Sequence, residues 1–384
     1  MVARRMQRVP ESGTVRISNL VSNLRSEGTD IINFSVGEPD FDTPDNITQA
    51  AIKALQDHFT HYTPSPGIPE LRAAVANKSR KENGIPCEAQ HVIITPTKHA
   101  LFMAFLALVD EGDEVILPDP CWGTFEALVL LAGGTPKYVK ALPENDYRIL
   151  PEDVAEAITP KTRMILSNSP SNPLGSVLEE SDVKGISDLA KDHDLLLLSD
   201  ETYEKIIFEG KHHSFAAQPG MFERTITVNG FSKTYAMTGW RLGWVIAPPD
   251  ITKEINKLQT QSVTNATSFA QVAGVEALLG PQNCVKAMVD EFRARRDLVY
   301  QLLSEIPQLS CPRPRGAFYM FPKYSLDMNS EELTMYLLQE AHVAVTPGST
   351  FGPSGEGHIR ISYAASTQHL IEGMQRIKEA LAKV

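Results

Sequence analysis

Residues 195–200 read LLLLSD, four consecutive leucines that end in a serine and an aspartate. A run that is apolar at every position is typical of a strand buried on both faces, as in the centre of a parallel sheet. Further runs of strand length, rich in leucine or β-branched residues, are residues 31–36, 92–95, 114–117, 163–167, 225–229 and 242–247. Helical patterns lie between them, at residues 45–55, 69–83, 99–109, 124–132, 151–158 and 181–192. This alternation predicts an α/β fold, in which a mostly parallel sheet carries helices on both faces.

The pattern changes after residue 284, which indicates a second domain. Apolar residues at nearly helical spacing predict one long helix over residues 285–306. Shorter predicted strands follow at residues 318–321, 343–346 and 358–362, with predicted helices at 331–341 and 367–382. We therefore predict a large domain of residues 31–284 and a smaller, discontinuous α+β domain of residues 1–30 and 285–384.

Composition and charge narrow the class of protein. The chain has 384 residues, 42% of them hydrophobic, and a formal net charge of −11. Such a balance gives no general attraction to nucleic acid or to an acidic membrane surface. No stretch reaches the ~18 apolar residues of a membrane span, and the basic N-terminus has no apolar run like that of a secretory signal. The four cysteines form no CxxC pair and the histidines no metal-ligand spacing. We predict a cytoplasmic protein without a metal site.

Three predicted strands end close to a polar residue that can take part in chemistry. Asp200 ends the leucine strand, Asn172 follows the strand at 163–167, and Lys233 follows the strand at 225–229. Because ligands of open α/β sheets bind at the carboxyl ends of the strands, we expect these three side chains to meet. Each residue also has a plainer explanation on its own. An isolated lysine is usually a solvated surface charge, and an aspartate after a strand often caps a helix.

The segment GFSKTYAMTGWRLG at residues 230–243 resembles the lysine-attachment motif of class I and II aminotransferases, which have pyridoxal-phosphate fold type I. Other stretches resemble this family in the same order: SVGEPDFDTP at 35–44, YTPSPGIPELR at 62–72, SPSNPLG at 169–175, SDETYE at 199–204 and PGSTFGPSGEGHIRISYA at 347–364. Residues 220–244 are similar to the aspartate/aromatic branch of the family. The resemblance covers roughly residues 12–380.

The resemblance implies a role for each matched residue. Lys233 is expected to hold pyridoxal 5′-phosphate as a Schiff base and, once substrate displaces it, to move the Cα proton. Asp200 is expected to keep the pyridine nitrogen protonated, so that the ring acts as an electron sink. The other expected cofactor contacts are Asn172 and the catalytic Tyr203 at O3′, Trp122 stacked on the ring, and Arg241, Thr97 and Lys98 at the phosphate. The substrate α-carboxylate is expected to bind Arg360 and Gly37, with Asn172 beside them.

Tyr62 resembles the tyrosine that reaches the phosphate from the neighbouring subunit. The resemblance therefore implies a homodimer with shared active sites, whose partners are otherwise small molecules, an amino acid and a 2-oxo acid.

One departure from the family concerns the phosphate turn. The family usually has a glycine-containing turn where this chain reads TPTKH at residues 95–99. Pro96 has no N–H to offer to a phosphate. The helix predicted from His99 still directs amide groups and the positive end of its dipole towards an anion.

The function implied is transfer of an amino group from an amino acid, aspartate or aromatic, to a 2-oxo acid such as 2-oxoglutarate. One alternative keeps the cofactor but performs β-elimination, as a C–S lyase. Another is a non-catalytic regulator built on the same fold. The residue that reads the substrate side chain stays open between Arg16, in a segment at 12–16 that resembles a mobile stretch near the substrate, and Lys98.

Overall fold

The computed structural model describes residues 2–11 and 13–384. Its strands, numbered in chain order, are β1 (Ile32–Asn33), β2 (Val92–Ile94), β3 (Glu114–Asp119), β4 (Thr135–Lys140), β5 (Thr162–Asn168), β6 (Leu196–Asp200), β7 (Thr225–Gly230), β8 (Gly243–Ile246), β9 (Leu309–Ser310), β10 (Tyr319–Met320), β11 (Lys323–Tyr324), β12 (Val343–Ala344), β13 (Thr346–Pro347) and β14 (Ile359–Ser362). Its helices are α1 (Gly13–Ser26), α2 (Asp45–Gln56), α3 (Pro69–Asn83), α4 (Thr97–Leu108), α5 (Thr124–Ala132), α6 (Pro151–Ala157), α7 (Glu180–Asp192), α8 (Phe231–Thr234), α9 (Pro249–Ser262), α10 (Ser268–Leu279), α11 (Asn283–Ser304), α12 (Ser330–Glu340) and α13 (Thr367–Leu381).

Seven strands form the main sheet, in the order β2-β8-β7-β6-β5-β3-β4. Strand β8 runs antiparallel to its neighbours β2 and β7. The remaining pairs are parallel. The leucine run forms β6, at the fourth and central position of the sheet. The predicted α/β fold with a mostly parallel sheet is therefore confirmed.

Helices cover both faces of this sheet. Leu198 packs in one core with Leu101 of α4, whereas Leu197 packs in another core with Val183 and Ile186 of α7. Successive residues of β6 thus point into different cores, which is why the run has no polar position.

The C-terminal part of the chain forms smaller sheets, with strands in the order β10-β14-β13 and the pairs β9–β11 and β1–β12. Helices α11, α12 and α13 contribute to the apolar core shared by these strands. In β1, Ile32 pairs with Val343 and Asn33 with Ala344. Residues 32–33, which the predicted division puts in the large domain, therefore pair with the C-terminal part of the chain.

Several elements were not predicted from the sequence. Strand β4 reads TPKYVK and lies at the edge of the sheet, where a proline and lysines are tolerated. Helix α10 reads SFAQVAGVEALL, so it lacks a polar stripe from which a helical period could be read. Within residues 2–11 and 13–384, no helix has both the length and the apolar character needed to cross a membrane.

Candidate active site

A cavity of about 270 Å³ is lined by residues at the carboxyl ends of β5 and β6 and by residues of α8, directly after β7. Ten of the eleven residues predicted for the site line it: Gly37, Thr97, Lys98, Trp122, Asn172, Asp200, Tyr203, Lys233, Arg241 and Arg360. The others that line it are Thr14, Asn168, Thr202, Ser232, Thr238 and Tyr319. The eleventh predicted residue, Tyr62, lies elsewhere and is 87% exposed.

Asn168 ties two of the strand ends together. It pairs in register with Asp200 across β5 and β6, and its Nδ2 donates to the Asp200 carbonyl at 3.2 Å. Its Oδ1 accepts from the Asn172 amide at 2.9 Å, which fixes the start of the loop that carries Asn172. Asn168 was not predicted from the sequence, although its place as the last residue of a strand is a usable signal.

Lys233 lies in the short helix α8, directly after β7. Its Nζ donates to the Gly37 carbonyl at 2.6 Å. Burial lowers the pKa of Lys233 to about 8; the charge of Glu38 opposes this shift and that of Arg360 adds to it. An amine with this pKa is partly neutral near pH 7 to 8, and only the neutral form has the lone pair that attacks a carbonyl carbon.

Asp200 ends β6 and is 4% exposed. Its Oδ1 accepts hydrogen bonds from the Thr202 amide at 3.1 Å and the Thr202 hydroxyl at 2.5 Å. Burial raises the pKa of Asp200 to about 6, although the Thr202 hydrogen bonds act in the opposite direction. Its Oδ2 accepts no hydrogen bond from the described residues, and because Asp200 lines the cavity, this oxygen is available to a ligand.

Arg360 is a buried charge that has no counter-ion among the residues that the structure describes. It is 2% exposed, and its guanidinium donates to Asn172 Oδ1 at 2.9 Å, the Ser35 carbonyl at 2.6 Å and Thr346 Oγ1 at 3.3 Å. These acceptors are all neutral, and its Nε has no acceptor among residues 2–11 and 13–384. Burial lowers the pKa of Arg360. A buried guanidinium without an anion is costly, so its position indicates that the cavity receives an anionic ligand.

Two tyrosines meet beside this arginine. The Tyr203 and Tyr319 hydroxyls are 2.7 Å apart, and both residues are buried. Burial raises the pKa of both phenols, so they stay protonated at neutral pH. Tyr319 was not predicted from the sequence, because a tyrosine within the apolar run FYMF has the pattern of a core residue.

Helix α4 brings its N-terminus to the cavity. Pro96 is the residue before the helix, with φ −54° and ψ 134°, so its missing N–H falls outside the helical hydrogen bonds. The Thr97 and Lys98 amides have no backbone acceptor among the described residues, as expected for a first helical turn. A Cβ at Gly230 or Gly243 would overlap Thr97 Oγ1, so these glycines allow the close approach of the helix.

Arg241 lies in a strained stretch of backbone. Its φ is 54°, and that of Ala236 is 51°, in the left-handed region that side chains other than glycine rarely occupy. The Arg241 guanidinium is exposed and donates to the Thr238 carbonyl at 2.7 Å. Its other donors leave a planar fork that suits an anion such as a phosphate.

The two cations considered for reading the substrate side chain differ in position. Lys98 lines the cavity, with its Nζ 4.6 Å from the centre of the Trp122 ring. Burial, with the charge of Arg241, lowers the pKa of Lys98. Arg16 is exposed on α1 and forms an ion pair with Glu331. Ser12, the first residue of the segment at 12–16, lies outside the described residues.

The turn after β6 also carries two acids of a buried network that the sequence did not reveal. Glu204 binds the Lys78 ammonium, and the His212 Nε2 is 3.0 Å from Glu201 Oε2. Burial opposes ionisation of Glu204, but the charges of Lys78 and His212 outweigh it and lower its pKa to about 2. Glu201, Glu204 and His212 have the spacing of a metal site. The Lys78 ammonium and the His212 imidazole already lie against the two carboxylates.

Comparison with known proteins identifies the family to which the chain belongs. Residues 29–377 match the family described as aminotransferase class I and II. A probable aspartate/prephenate aminotransferase of Aquifex aeolicus is 42% identical, over 100% of this chain and 99% of that protein. An aspartate aminotransferase of Pyrococcus horikoshii is 44% identical, over 93% of this chain and 92% of that protein. The chain belongs to the class I and II aminotransferases.

Solved structures show the same architecture. Aspartate aminotransferase from Thermus thermophilus with maleate superimposes with a TM-score of 0.94 at 39% identity, covering 99% of each chain. An aromatic aminotransferase from Pyrococcus horikoshii superimposes with a TM-score of 0.90 at 41% identity, covering 94% of this chain and 99% of that one. This protein is accordingly a pyridoxal-phosphate-dependent enzyme that transfers amino groups of amino acids.

Proposed function

We propose that this enzyme transfers the amino group of aspartate or of an aromatic amino acid to 2-oxoglutarate. The observation that carries the proposal is Arg360, a buried guanidinium for which the described part of the chain provides no counter-ion. It lines the same cavity as Lys233, whose amine is partly neutral. A guanidinium fork fits the α-carboxylate that every amino acid and 2-oxo acid carries. The two side chains together favour a ligand with a carboxylate next to a carbon that bears an amine or a carbonyl.

The residues at the strand ends fit the cofactor. In the proposal Lys233 attaches it, Asp200 Oδ2 accepts from its pyridine N–H, and Tyr203 and Asn172 donate to its O3′. The indole of Trp122 gives the pyridine a flat surface for stacking. When bound, the cofactor supplies an electron-withdrawing ring that stabilises negative charge at the substrate Cα.

The cofactor phosphate is proposed to bind at the N-terminus of α4 and at Arg241. The Thr97 and Lys98 amides form the N-terminus of α4, where two donors and the helix dipole favour an anion. Arg241 adds a guanidinium fork from a neighbouring segment. The field of the whole chain, with a net charge of −11, does not attract a phosphate, so the local groups must hold it.

The position of Lys233 also suits proton transfer. Once its amine is free of the cofactor, its pKa of about 8 lets it accept a proton near neutral pH and return it in the next step. Arg360 fixes the carboxylate and thereby the Cα position that Lys233 must reach. Gly37, whose carbonyl binds Lys233 Nζ at 2.6 Å, borders the same carboxylate position.

The substrate side chain is proposed to meet Lys98 and Trp122. Lys98 is a cation that lines the cavity, which suits the second carboxylate of aspartate and of 2-oxoglutarate. The Trp122 ring beneath it offers an apolar surface to an aromatic side chain. Arg16, engaged with Glu331, is the weaker candidate for this task.

We also propose that the enzyme is a cytoplasmic homodimer with shared active sites. Tyr62 is 87% exposed within its own subunit, as suits an aromatic residue that serves a neighbouring one. The four cysteines are unpaired, which fits a reducing compartment.

Substitution of Arg360 tests the proposal directly. Arg360→Met should lower kcat/KM for aspartate by at least about 10²-fold, since charge-assisted hydrogen bonds to the carboxylate are lost. The fold should survive, because no carboxylate of the described residues loses a partner. Arg296→Met is the matched contrast: Arg296 is equally buried but paired with Glu209 and Asp297, so its loss should destabilise the protein. Unchanged kcat/KM in a folded Arg360→Met enzyme would contradict the proposal.

The acceptor requirement separates transfer from elimination. Turnover of aspartate, aromatic amino acids and cysteine is measured with and without 2-oxoglutarate. We expect product only in the presence of the 2-oxo acid, and none from Lys233→Ala. Release of ammonia and pyruvate from cysteine without an acceptor would instead support C–S lysis.

A further inference from the structure

Tyr319 is a buried residue that the proposed chemistry does not yet use. It lies in β10, whose partner β14 carries Arg360, and it is 1% exposed. Its hydroxyl is 2.7 Å from that of Tyr203, and both residues line the cavity. A Cβ at Gly37 would overlap the Tyr319 hydroxyl, so this phenol also lies against the Gly37 backbone. Tyr319 therefore borders three groups proposed to contact cofactor or substrate.

The proposed contact of Tyr203 with O3′ sets the direction of the shared hydrogen bond, which in the protein alone could run either way. Among residues 2–11 and 13–384, Tyr203 Oη is the one acceptor within hydrogen-bond distance of the Tyr319 hydroxyl. With O3′ as the acceptor for Tyr203, Tyr319 must donate to Tyr203, because a buried hydroxyl proton is costly to leave unpaired. The proton of Tyr203 is then free for an acceptor in the cavity. If Tyr203 donated instead, it would have no proton left for the cofactor, since a phenol carries only one.

We propose that Tyr319 is a positioning residue that donates to Tyr203 and thereby directs the Tyr203 proton towards O3′ of the cofactor. The inference rests on the proposed contact of Tyr203 with O3′. Accepting a hydrogen bond polarises the Tyr203 O–H and strengthens its own donation. Burial raises the pKa of both phenols, so the chain of two donors persists through neutral pH.

The ring of Tyr319 has a second, separable task. The Arg360 guanidinium carbon is 4.6 Å from the centre of this ring, a cation–π distance. The ring thus supports one face of the carboxylate clamp, while the hydroxyl orients Tyr203. Tyr319→Phe removes only the hydroxyl, and Tyr319→Leu removes both contacts.

The test is a pH titration of the visible absorbance of the cofactor in the holoenzyme. A hydrogen bond to O3′ stabilises its negative charge and so lowers the proton affinity of the conjugated cofactor. Tyr319→Phe should raise the midpoint by roughly 0.4 to 1 pH unit, as the loss of one neutral hydrogen bond allows. Its KM for aspartate should stay close to that of the wild type. Tyr319→Leu should show the same shift and also a KM raised roughly 3- to 10-fold.

Two further variants make the outcome specific. Tyr363→Phe is the matched control, because it removes a buried tyrosine hydroxyl from the same core. This hydroxyl donates to the Ala317 carbonyl at 3.2 Å. Its loss should lower thermal stability and leave the midpoint of the absorbance titration unchanged. Tyr203→Phe should shift the midpoint at least as far as Tyr319→Phe. A Tyr203→Phe shift with none in Tyr319→Phe overturns the inference alone. No shift in either variant overturns the O3′ contact on which it rests.

Discussion

Lys233 offers a test at the scale of a single residue. Burial brings its pKa from an ordinary value of 10.5 to about 8, so the neutral amine is populated at much lower pH than in water. The rate at which the cofactor-free enzyme takes up pyridoxal phosphate should therefore rise to a plateau with a midpoint near pH 8. Stopped-flow absorbance across pH 6 to 10.5 measures it. Butylamine, reacting in the same buffers, should keep gaining rate up to its own higher pKa. Matching profiles for enzyme and butylamine would contradict the assignment.

The residues of the site differ in how well the sequence predicted their place there. Lys233, Asp200 and Asn172 follow recognisable strands, and a family motif surrounds them, so their convergence was predicted. Tyr319 was not, because its partner Tyr203 is 116 positions away and only the folded chain brings the two hydroxyls together. It was equally hidden from the sequence that no carboxylate of residues 2–11 and 13–384 pairs with Arg360. Whether a buried charge is paired depends on residues such as Ser35 and Thr346, which no local pattern connects with it.

At the scale of elements, the N-terminus of α4 depends on glycines in two strands. Gly230 and Gly243 pair across β7 and β8. At Gly243 a Cβ would overlap Thr97 Oγ1 and lie 2.8 Å from the Asn229 carbonyl. Gly243→Ala should therefore displace the helix end and weaken cofactor binding roughly tenfold, in line with an overpacking cost of about 1–3 kcal/mol. Fluorescence titration of the cofactor-free protein with pyridoxal phosphate gives the Kd.

A neighbouring glycine provides the control for that experiment. Gly239 is exposed, and a Cβ there would meet no atom within 4 Å. Gly239→Ala should leave the Kd for pyridoxal phosphate unchanged. Equal Kd values for the two variants and the wild type would show that the close approach of Thr97 to the sheet is unimportant for binding.

Elements were predicted best where the fold imposes a period or a fully apolar run. Strand β6 and the long helix α11 belong to this group, and their observed bounds lie within two residues of those predicted. Strand β4 and helix α10 do not, because an edge strand needs few apolar residues and a helix buried on most sides has no polar stripe. Pro96 shows the same limit at a helix end: the sequence made the phosphate turn uncertain, and the observed start of α4 at Thr97 explains how proline fits there.

At the scale of the whole molecule, the proposed sharing of active sites makes a prediction about mixed dimers. Lys233→Ala should inactivate its own site, and Tyr62→Ala should impair a site on the partner, because Tyr62 is 87% exposed and lies outside the cavity of its own chain. In a dimer of the two variants, the subunit that keeps Lys233 receives an intact Tyr62 from its partner. One complete site is thereby restored in each mixed dimer.

Activity regained on mixing measures this arrangement. The two variants are combined in equal amounts under mild denaturation, allowed to reassociate, and assayed at a cofactor concentration that does not saturate Tyr62→Ala. Random exchange makes half of the dimers mixed, each with one complete site of two, so activity should reach roughly a quarter of the wild-type value. The control is a mixture of the Lys233→Ala protein with a double variant that carries both Lys233→Ala and Tyr62→Ala. This mixture should stay inactive. If Tyr62 served its own subunit, the mixed dimers would hold no complete site, and mixing would restore nothing.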